Sequence, residues 1–148
     1  MVRSFDARPL PGCTMLLSMQ PSRRPSQPAR SFRDLRVWQE ARLLALDARP
    51  LRASLERLRY WSLADQLRRA ASSVHLNIAE GWGRRTARDR KRFYTDAWAS
   101  LQEVESALLE IASERRVPDV LLRQCMRRVH HVTTLLSAFR RASHRPGW

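Results

Sequence analysis

Apolar residues recur at every third or fourth position in four segments of the chain, a spacing that places them on one side of an α-helix. The third segment shows the pattern most fully, with Phe93, Ala97, Leu101, Val104, Leu108 and Ile111. No segment alternates apolar and polar residues, and no Asn-Gly hairpin turn occurs. The sequence therefore predicts an all-α protein.

Three tetrapeptides carry a hydroxyl residue followed three positions later by aspartate, the pattern of a helix capping box. They are SFRD at 31–34, SLAD at 62–65 and TARD at 86–89. The hydroxyl accepts a hydrogen bond from a backbone N–H of the first turn, and the acid reaches back to the cap residue. A fourth start is indicated by Pro118, because proline is favoured in the first turn. Each pattern opens a periodic segment, so four helix starts are predicted.

Proline and glycine indicate where two of the helices end. Pro50 is expected to end or kink the first helix, leaving residues 50–61 as a helical turn or an ordered connection. Gly81 and Gly83 are expected to end the second helix, since glycine tolerates the left-handed conformation of a C-terminal cap. The predicted helices span residues 32–49, 63–81, 87–115 and 119–141.

Four helices joined by short links favour an antiparallel up-down four-helix bundle, expected over residues 31–142. The apolar arc of the first helix is wide, which predicts contact with two helices or with another subunit. Residues 1–30 are rich in proline and arginine and are predicted to be a flexible basic arm, and residues 143–148 a disordered tail. Two cysteines and no apolar run near 18 residues indicate a reducing, cytoplasmic setting and no membrane span.

The charge is strongly positive, with 28 basic against 14 acidic residues and a formal net charge of +14. A basic run follows the second helix, and five of its members are expected to contact RNA or single-stranded DNA: Arg84, Arg85, Arg88, Lys91 and Arg92. Guanidinium groups suit this role because their planar fork matches phosphate. A solvated face without a partner and an adaptor surface for an acidic protein are the alternatives.

A polar seam follows one margin of the apolar arc on the second helix, where a helical wheel brings together Gln66, Ser73, Asn77 and Glu80. Unpaired buried polar groups cost about 1–3 kcal/mol each. The seam is therefore expected to be a hydrogen-bonded network that sets helix register or a subunit contact, and a ligand or catalytic site is the alternative. Arg68 and Arg69 are candidates to pair with a carboxylate such as Glu103.

No catalytic or metal-binding constellation is complete in the sequence. Di-iron bundles need Glu-x-x-His pairs, and no glutamate has histidine three positions later. His130 and His131 are adjacent and point in different directions, which does not suit a shared metal. The sequence therefore favours a non-enzymatic protein without a metal or cofactor, and disfavours a small nuclease.

Three stretches resemble the four-helix bundle family encoded in intervening sequences of bacterial 23S ribosomal RNA genes: FRDLRVWQEA at 32–41, LADQLRRAASSVHLNIAEGWGRR at 63–85 and RFYTDAWASLQEVESALL at 92–109. The family signature is matched by Gln66, Arg68, Arg69, Ala70, Ser73, Val74, Asn77, Ile78, Ala79, Glu80 and Gly81. Because Arg69 is also a signature position, the resemblance adds it to the polar seam of Gln66, Ser73, Asn77 and Glu80. The chain departs from the family at three places. Family members have a Phe-Pro pair where this chain has Leu55 and Glu56. The other two departures are the Ala99–Ser100 pair and Pro50.

The resemblance implies a homo-oligomer, specifically a pentameric ring. It also implies kinship with the accessory variability determinant of diversity-generating retroelements, a basic bundle that binds nucleic acid and a reverse transcriptase. For most members of the family no biochemical role is assigned, so the resemblance supports nucleic-acid binding without specifying a ligand.

Overall fold

The computed structural model describes residues 28–143, and within that range it contains four α-helices and no β-strand. A 3-10 turn at Phe32–Asp34 precedes α1 (Arg36–Arg57), α2 (Trp61–Trp82), α3 (Ala87–Glu114) and α4 (Asp119–Ala142). The prediction of an all-α protein with four helices is confirmed. The predicted basic arm and C-terminal tail lie outside the described residues except at their inner ends, where Ala29 packs against the core and Ser143 is buried.

Each helix packs against the next one along the chain, and α4 also packs against α1. The side chains between the helices are the apolar ones at helical spacing. On α1 the buried residues are Val37, Ala41, Leu44, Ala48, Leu51 and Leu55. On α3 the buried residues are Tyr94, Ala97, Ser100, Leu101, Val104, Ala107, Leu108 and Ile111. The wide apolar arc of α1 is thus explained within one chain, because this helix contacts both α2 and α4.

The first helix continues through Pro50 to Arg57, so the predicted end at residue 49 is wrong. A proline inside a helix costs about 3 kcal/mol, because it has no N–H and its ring crowds the carbonyl four residues earlier. Beyond it, Leu51 and Leu55 extend the buried stripe and are 0% and 1% exposed. Burying two leucine side chains contributes about 3–6 kcal/mol. This gain offsets the cost of the proline, and the helix continues.

The link between α1 and α2 is only residues 58–60, and backbone hydrogen bonds close it. Arg59 adopts the left-handed conformation, with a φ of 67°. Its N–H donates to the Glu56 carbonyl at 3.0 Å, and the Tyr60 N–H donates to the Leu55 carbonyl at 2.9 Å. Together these two bonds form a Schellman motif, which satisfies carbonyl groups at the end of α1.

The second helix starts at Trp61, and the capping box predicted at residues 62–65 is wrong. Tyr60 occupies the N-cap position and makes no side-chain cap bond. The Ala64 N–H donates to the Tyr60 carbonyl at 3.0 Å, so the backbone that leaves the Schellman motif leads directly into α2. Ser62 consequently lies inside the first turn of the helix.

The other predicted helix starts are present. Ser31 forms a full capping box with Asp34, although it caps the 3-10 turn rather than α1 itself. Thr86 is the N-cap of α3, and its hydroxyl oxygen accepts from the Asp89 N–H at 3.1 Å. Pro118 is the N-cap residue of α4, which begins one position later.

The glycines at the end of α2 do not have the predicted left-handed conformation. α2 continues to Trp82, and Gly83 follows as a right-handed C-cap with a φ of −75°. Gly81 is needed for a different reason: a Cβ atom there would lie 2.4 Å from Cε1 of Tyr94. Tyr94 is 1% exposed and belongs to α3. The absence of a side chain at Gly81 therefore lets α2 and α3 approach closely.

Candidate nucleic-acid interface

The five basic residues predicted to contact nucleic acid lie at the connection between α2 and α3 and in the first turns of α3. Arg84 and Arg85 belong to the connection, and Arg88, Lys91 and Arg92 to α3. The side chains of all five are exposed. We call these five residues the basic corner. The connection is short and ends at the Thr86 cap, so its two arginines lie close to the three basic residues at the start of α3.

Arg84 is held in place by two partners. Its guanidinium forms an ion pair with Glu80, one turn earlier on α2, and lies 4.5 Å from the centre of the Phe93 ring on α3. A cation over an aromatic face is attracted by the negative charge of the ring face. Arg84 therefore joins the end of α2 to the start of α3, and its charge is partly compensated.

The other four members of the basic corner form no side-chain hydrogen bond or ion pair with any residue between 28 and 143. The nearby carboxylate of Asp89 accepts a hydrogen bond from the Thr86 hydroxyl at 2.7 Å, within the cap of α3. Arg88 lies in the first turn of α3, where the helix dipole disfavours positive charge. The fold thus gathers uncompensated cations at this corner despite their mutual repulsion.

The end of α4 adds two arginines to this region that sequence reasoning missed. The Phe139 and Tyr94 rings meet edge to face with their centres 4.9 Å apart, which places the last turns of α4 beside the start of α3. Arg140 follows Phe139, and its guanidinium lies 5.1 Å from the centre of the Trp98 ring. Arg141 is exposed. Two adjacent arginines were visible in the sequence, but nothing local indicated which helix they would meet.

A small surface pocket of about 290 Å³ is formed where α3 and α4 meet at this end. It is lined by Trp98, Ser137, Arg140 and Arg141. Trp98 is half-buried, so part of the indole packs against the core and part faces the pocket. An exposed aromatic surface among arginines has the components that bind single-stranded nucleic acid, in which bases stack on rings while phosphates contact cations.

Part of the predicted polar seam forms a hydrogen-bonded network between α2 and α3. The Asn77 amide donates to the Ser73 hydroxyl oxygen at 3.0 Å. The hydroxyl of Ser100, on α3, lies 2.9 Å from that same oxygen and 2.9 Å from the Asp96 carbonyl. Ser100 is 8% exposed, so these bonds satisfy polar groups that burial would otherwise leave unpaired.

The remaining seam residues do not join this network. Glu80 pairs with Arg84 at the basic corner, and Gln66 lines a separate surface pocket beside Tyr60. Arg69 pairs with Asp65 at 3.1 Å, so its carboxylate partner is on its own helix rather than Glu103 on α3. The seam thus divides into a central α2–α3 contact and exposed ends with other partners.

No three His, Cys, Asp or Glu side chains between residues 28 and 143 lie close enough together to hold a metal ion. Over the same range, none of the helices combines the length and the apolar character needed to cross a bilayer. Cys125 is a buried free thiol on α4, and burial raises its pKa to about 11. It is therefore protonated at neutral pH.

Fold and surface together define a class: an all-α protein of four helices with a cluster of exposed basic residues where α2 joins α3. Comparison with known protein families matches residues 33–138 to the family described as 23S rRNA-intervening sequence protein. The chain belongs to this family, and the resemblance inferred from its sequence segments is confirmed. Comparison with curated proteins finds no match.

Proposed function

We propose that this protein is a non-enzymatic binding protein that holds RNA or single-stranded DNA through contacts between the basic corner and the phosphate backbone. One observation carries the proposal: Arg85, Arg88, Lys91 and Arg92 are exposed together and have no acidic partner among the described residues. The family description refers to an intervening sequence of ribosomal RNA, which is consistent with RNA as a ligand.

Electrostatics supports a polyanion at this surface. Clustered cations raise the local potential, and phosphate groups would relieve the repulsion among them. Arginine also presents several N–H donors in a planar fork that can bind two phosphate oxygens at once. The unfavourable placement of Arg88 against the helix dipole is consistent with selection for binding rather than for stability.

The pocket beside Trp98 supports single-stranded rather than duplex ligands. Bases in a duplex are stacked on one another, whereas unpaired bases are free to stack on an aromatic ring. The pocket is close to the basic corner because the end of α4 packs beside the start of α3. A strand whose phosphates lie on the corner could therefore place a base against Trp98.

We further propose that the four helices form an antiparallel up-down bundle and that the chain assembles into a homo-oligomer, which the family resemblance suggests is a pentameric ring. Links of a few residues between successively packed helices support the antiparallel order. Large exposed apolar side chains at Trp61, Leu76, Leu109 and Val120 support subunit contacts. We place the protein in the cytoplasm, where its nucleic-acid ligand would be found. Native mass spectrometry of the purified protein measures the subunit number.

Binding of fluorescently labelled single-stranded RNA and DNA across a salt series tests the nucleic-acid function. Four to five cation–phosphate contacts predict a slope of log affinity against log salt of about −3 to −4 for single strands. The triple variant Arg88→Gln/Lys91→Gln/Arg92→Gln should flatten that slope by about 2, because three contacts are lost. The matched control is Arg57→Gln/Arg123→Gln/Arg127→Gln, which removes the same charge from exposed positions elsewhere.

Two results would contradict this proposal. If the unsubstituted protein binds neither RNA nor single-stranded DNA at low salt, nucleic-acid binding is wrong, and the alternative of an adaptor for an acidic protein becomes the better interpretation. If the corner and control variants weaken binding equally, net charge rather than the basic corner is responsible.

A further inference from the structure

A second arginine-rich surface lies between α1 and α2, apart from the basic corner. It is a groove of about 390 Å³ with four arginines in its wall: Arg42, Arg49, Arg52 and Arg68. We call it the α1–α2 groove. No acidic residue lines it. Its volume is that of a small-ligand site.

Two of the four arginines are compensated by acids at the edges of the groove. Arg52 pairs with Glu56 at 3.3 Å, and Arg68 pairs with Asp65 at 2.8 Å. Arg42 and Arg49 form no ion pair within residues 28–143. They are two helical turns apart on the same face of α1, about 10 Å along its axis. The groove therefore carries two uncompensated positive charges.

The opposite wall of the groove contributes polar groups from α2. Ser72 is half-buried, and its hydroxyl makes no hydrogen bond to another described residue. His75 is half-buried, and burial, with a smaller contribution from the charge of Arg42, lowers the pKa of its imidazole. The wall thus supplies a free hydroxyl and a neutral imidazole beside the arginines.

We propose that the α1–α2 groove is a phosphate-binding site in which Arg42 and Arg49 pair with the phosphate groups of a nucleotide or a polynucleotide. A terminal phosphate carries up to about two negative charges, which matches the two uncompensated arginines better than the single charge of a carboxylate does. The hydroxyl of Ser72 adds a hydrogen-bond donor. The apolar side chains of Leu46 and Leu76 complete the lining of the groove.

Calorimetric titration with two probes, inorganic pyrophosphate and a 5′-phosphorylated RNA dodecamer, tests this site. The double variant Arg42→Gln/Arg49→Gln should weaken binding of at least one probe by about tenfold, because charge-assisted hydrogen bonds are lost. The matched control Arg57→Gln/Arg123→Gln removes two exposed arginines outside the groove and should change affinity less than about twofold. Circular dichroism checks that both variants keep the helical fold.

The two probes distinguish the source of the phosphate. A loss confined to pyrophosphate identifies a site for small phosphorylated molecules, and a loss for RNA places the groove on the path of the strand; either result supports the proposal. The proposal is wrong if the unsubstituted protein binds neither probe, or if groove and control variants weaken binding equally. The triple variant of the basic corner should retain pyrophosphate binding. If that variant loses RNA binding while the groove variant binds both probes as the unsubstituted protein does, the corner is supported and the groove proposal is wrong.

Discussion

Gly81 shows how one missing side chain sets the distance between two helices. The residue lies in the last turn of α2 with an ordinary helical backbone, so glycine is not required there for its conformational freedom. Its Cα faces the ring of Tyr94, which is buried and packed edge to face against Phe139. Three helices therefore meet at a point where the backbone of α2 has to come close to the side chain of Tyr94.

Gly81→Ala should lower the free energy of unfolding by about 1–3 kcal/mol, because the added methyl group overpacks the contact with Tyr94. The better helix propensity of alanine, about 1 kcal/mol, recovers only part of this loss. Gly83→Ala is the matched control, since its Cβ would lie 3.5 Å from the Glu80 carbonyl oxygen, an ordinary contact. Urea unfolding measures the free energy of unfolding of both variants. Equal stability of the two variants would show that α2 and α3 separate at no cost.

At the scale of the helix, patterns in the sequence predicted most starts and missed the end of the first helix. Ser31, Thr86 and Pro118 act locally, through hydrogen bonds or a fixed φ, so their effect could be inferred without knowing the fold. The effect of Pro50 could not, because its local cost competes with burial of leucines against other helices. The Schellman motif at Arg59 was missed because arginine is an unusual residue for a left-handed position.

Arg59→Gly should raise the free energy of unfolding by about 0.5–1 kcal/mol, because glycine adopts the left-handed conformation without steric cost. Arg57→Gly provides the control: the same change inside the last turn of α1 should destabilise the protein by about 1 kcal/mol. Thermal unfolding followed by circular dichroism gives both values. A destabilised Arg59→Gly protein would show that the arginine side chain contributes contacts that outweigh its backbone strain.

At the scale of the whole molecule, an ion-pair network joins α1 to α4, whose residues are distant in sequence. Arg128 on α4 contacts Glu40 at 2.6 Å and Asp47 at 2.9 Å, and Gln124 donates to Asp47 at 2.8 Å. The carboxylates of Glu40 and Asp47 are 15% and 13% exposed. The hydrogen bond to Asp47, more than any other interaction, raises the pKa of Arg128.

Arg128→Met should lower the free energy of unfolding by about 2 kcal/mol, since it leaves two poorly exposed carboxylates without their cation. Arg123→Met is the control, because Arg123 and Asp119 form an exposed pair within α4 that should contribute less than about 0.5 kcal/mol. Guanidinium chloride, being a salt, screens charges, so urea is the denaturant of choice. Similar losses in both variants would mean that the Arg128 network contributes no more to stability than the exposed Arg123–Asp119 pair.

The sequence by itself determined the helical class, the number of helices, most of their starts and the family, because each of these depends on spacing or chemistry within a short stretch of chain. It also identified the basic corner, whose five residues lie within nine positions. Only the tertiary structure placed Arg140 of α4 against Trp98 of α3, and the arginines of α1 opposite Ser72 and His75 across a groove. Helical periodicity specifies which side of a helix is buried, but which helix covers that side depends on packing among residues far apart in the chain.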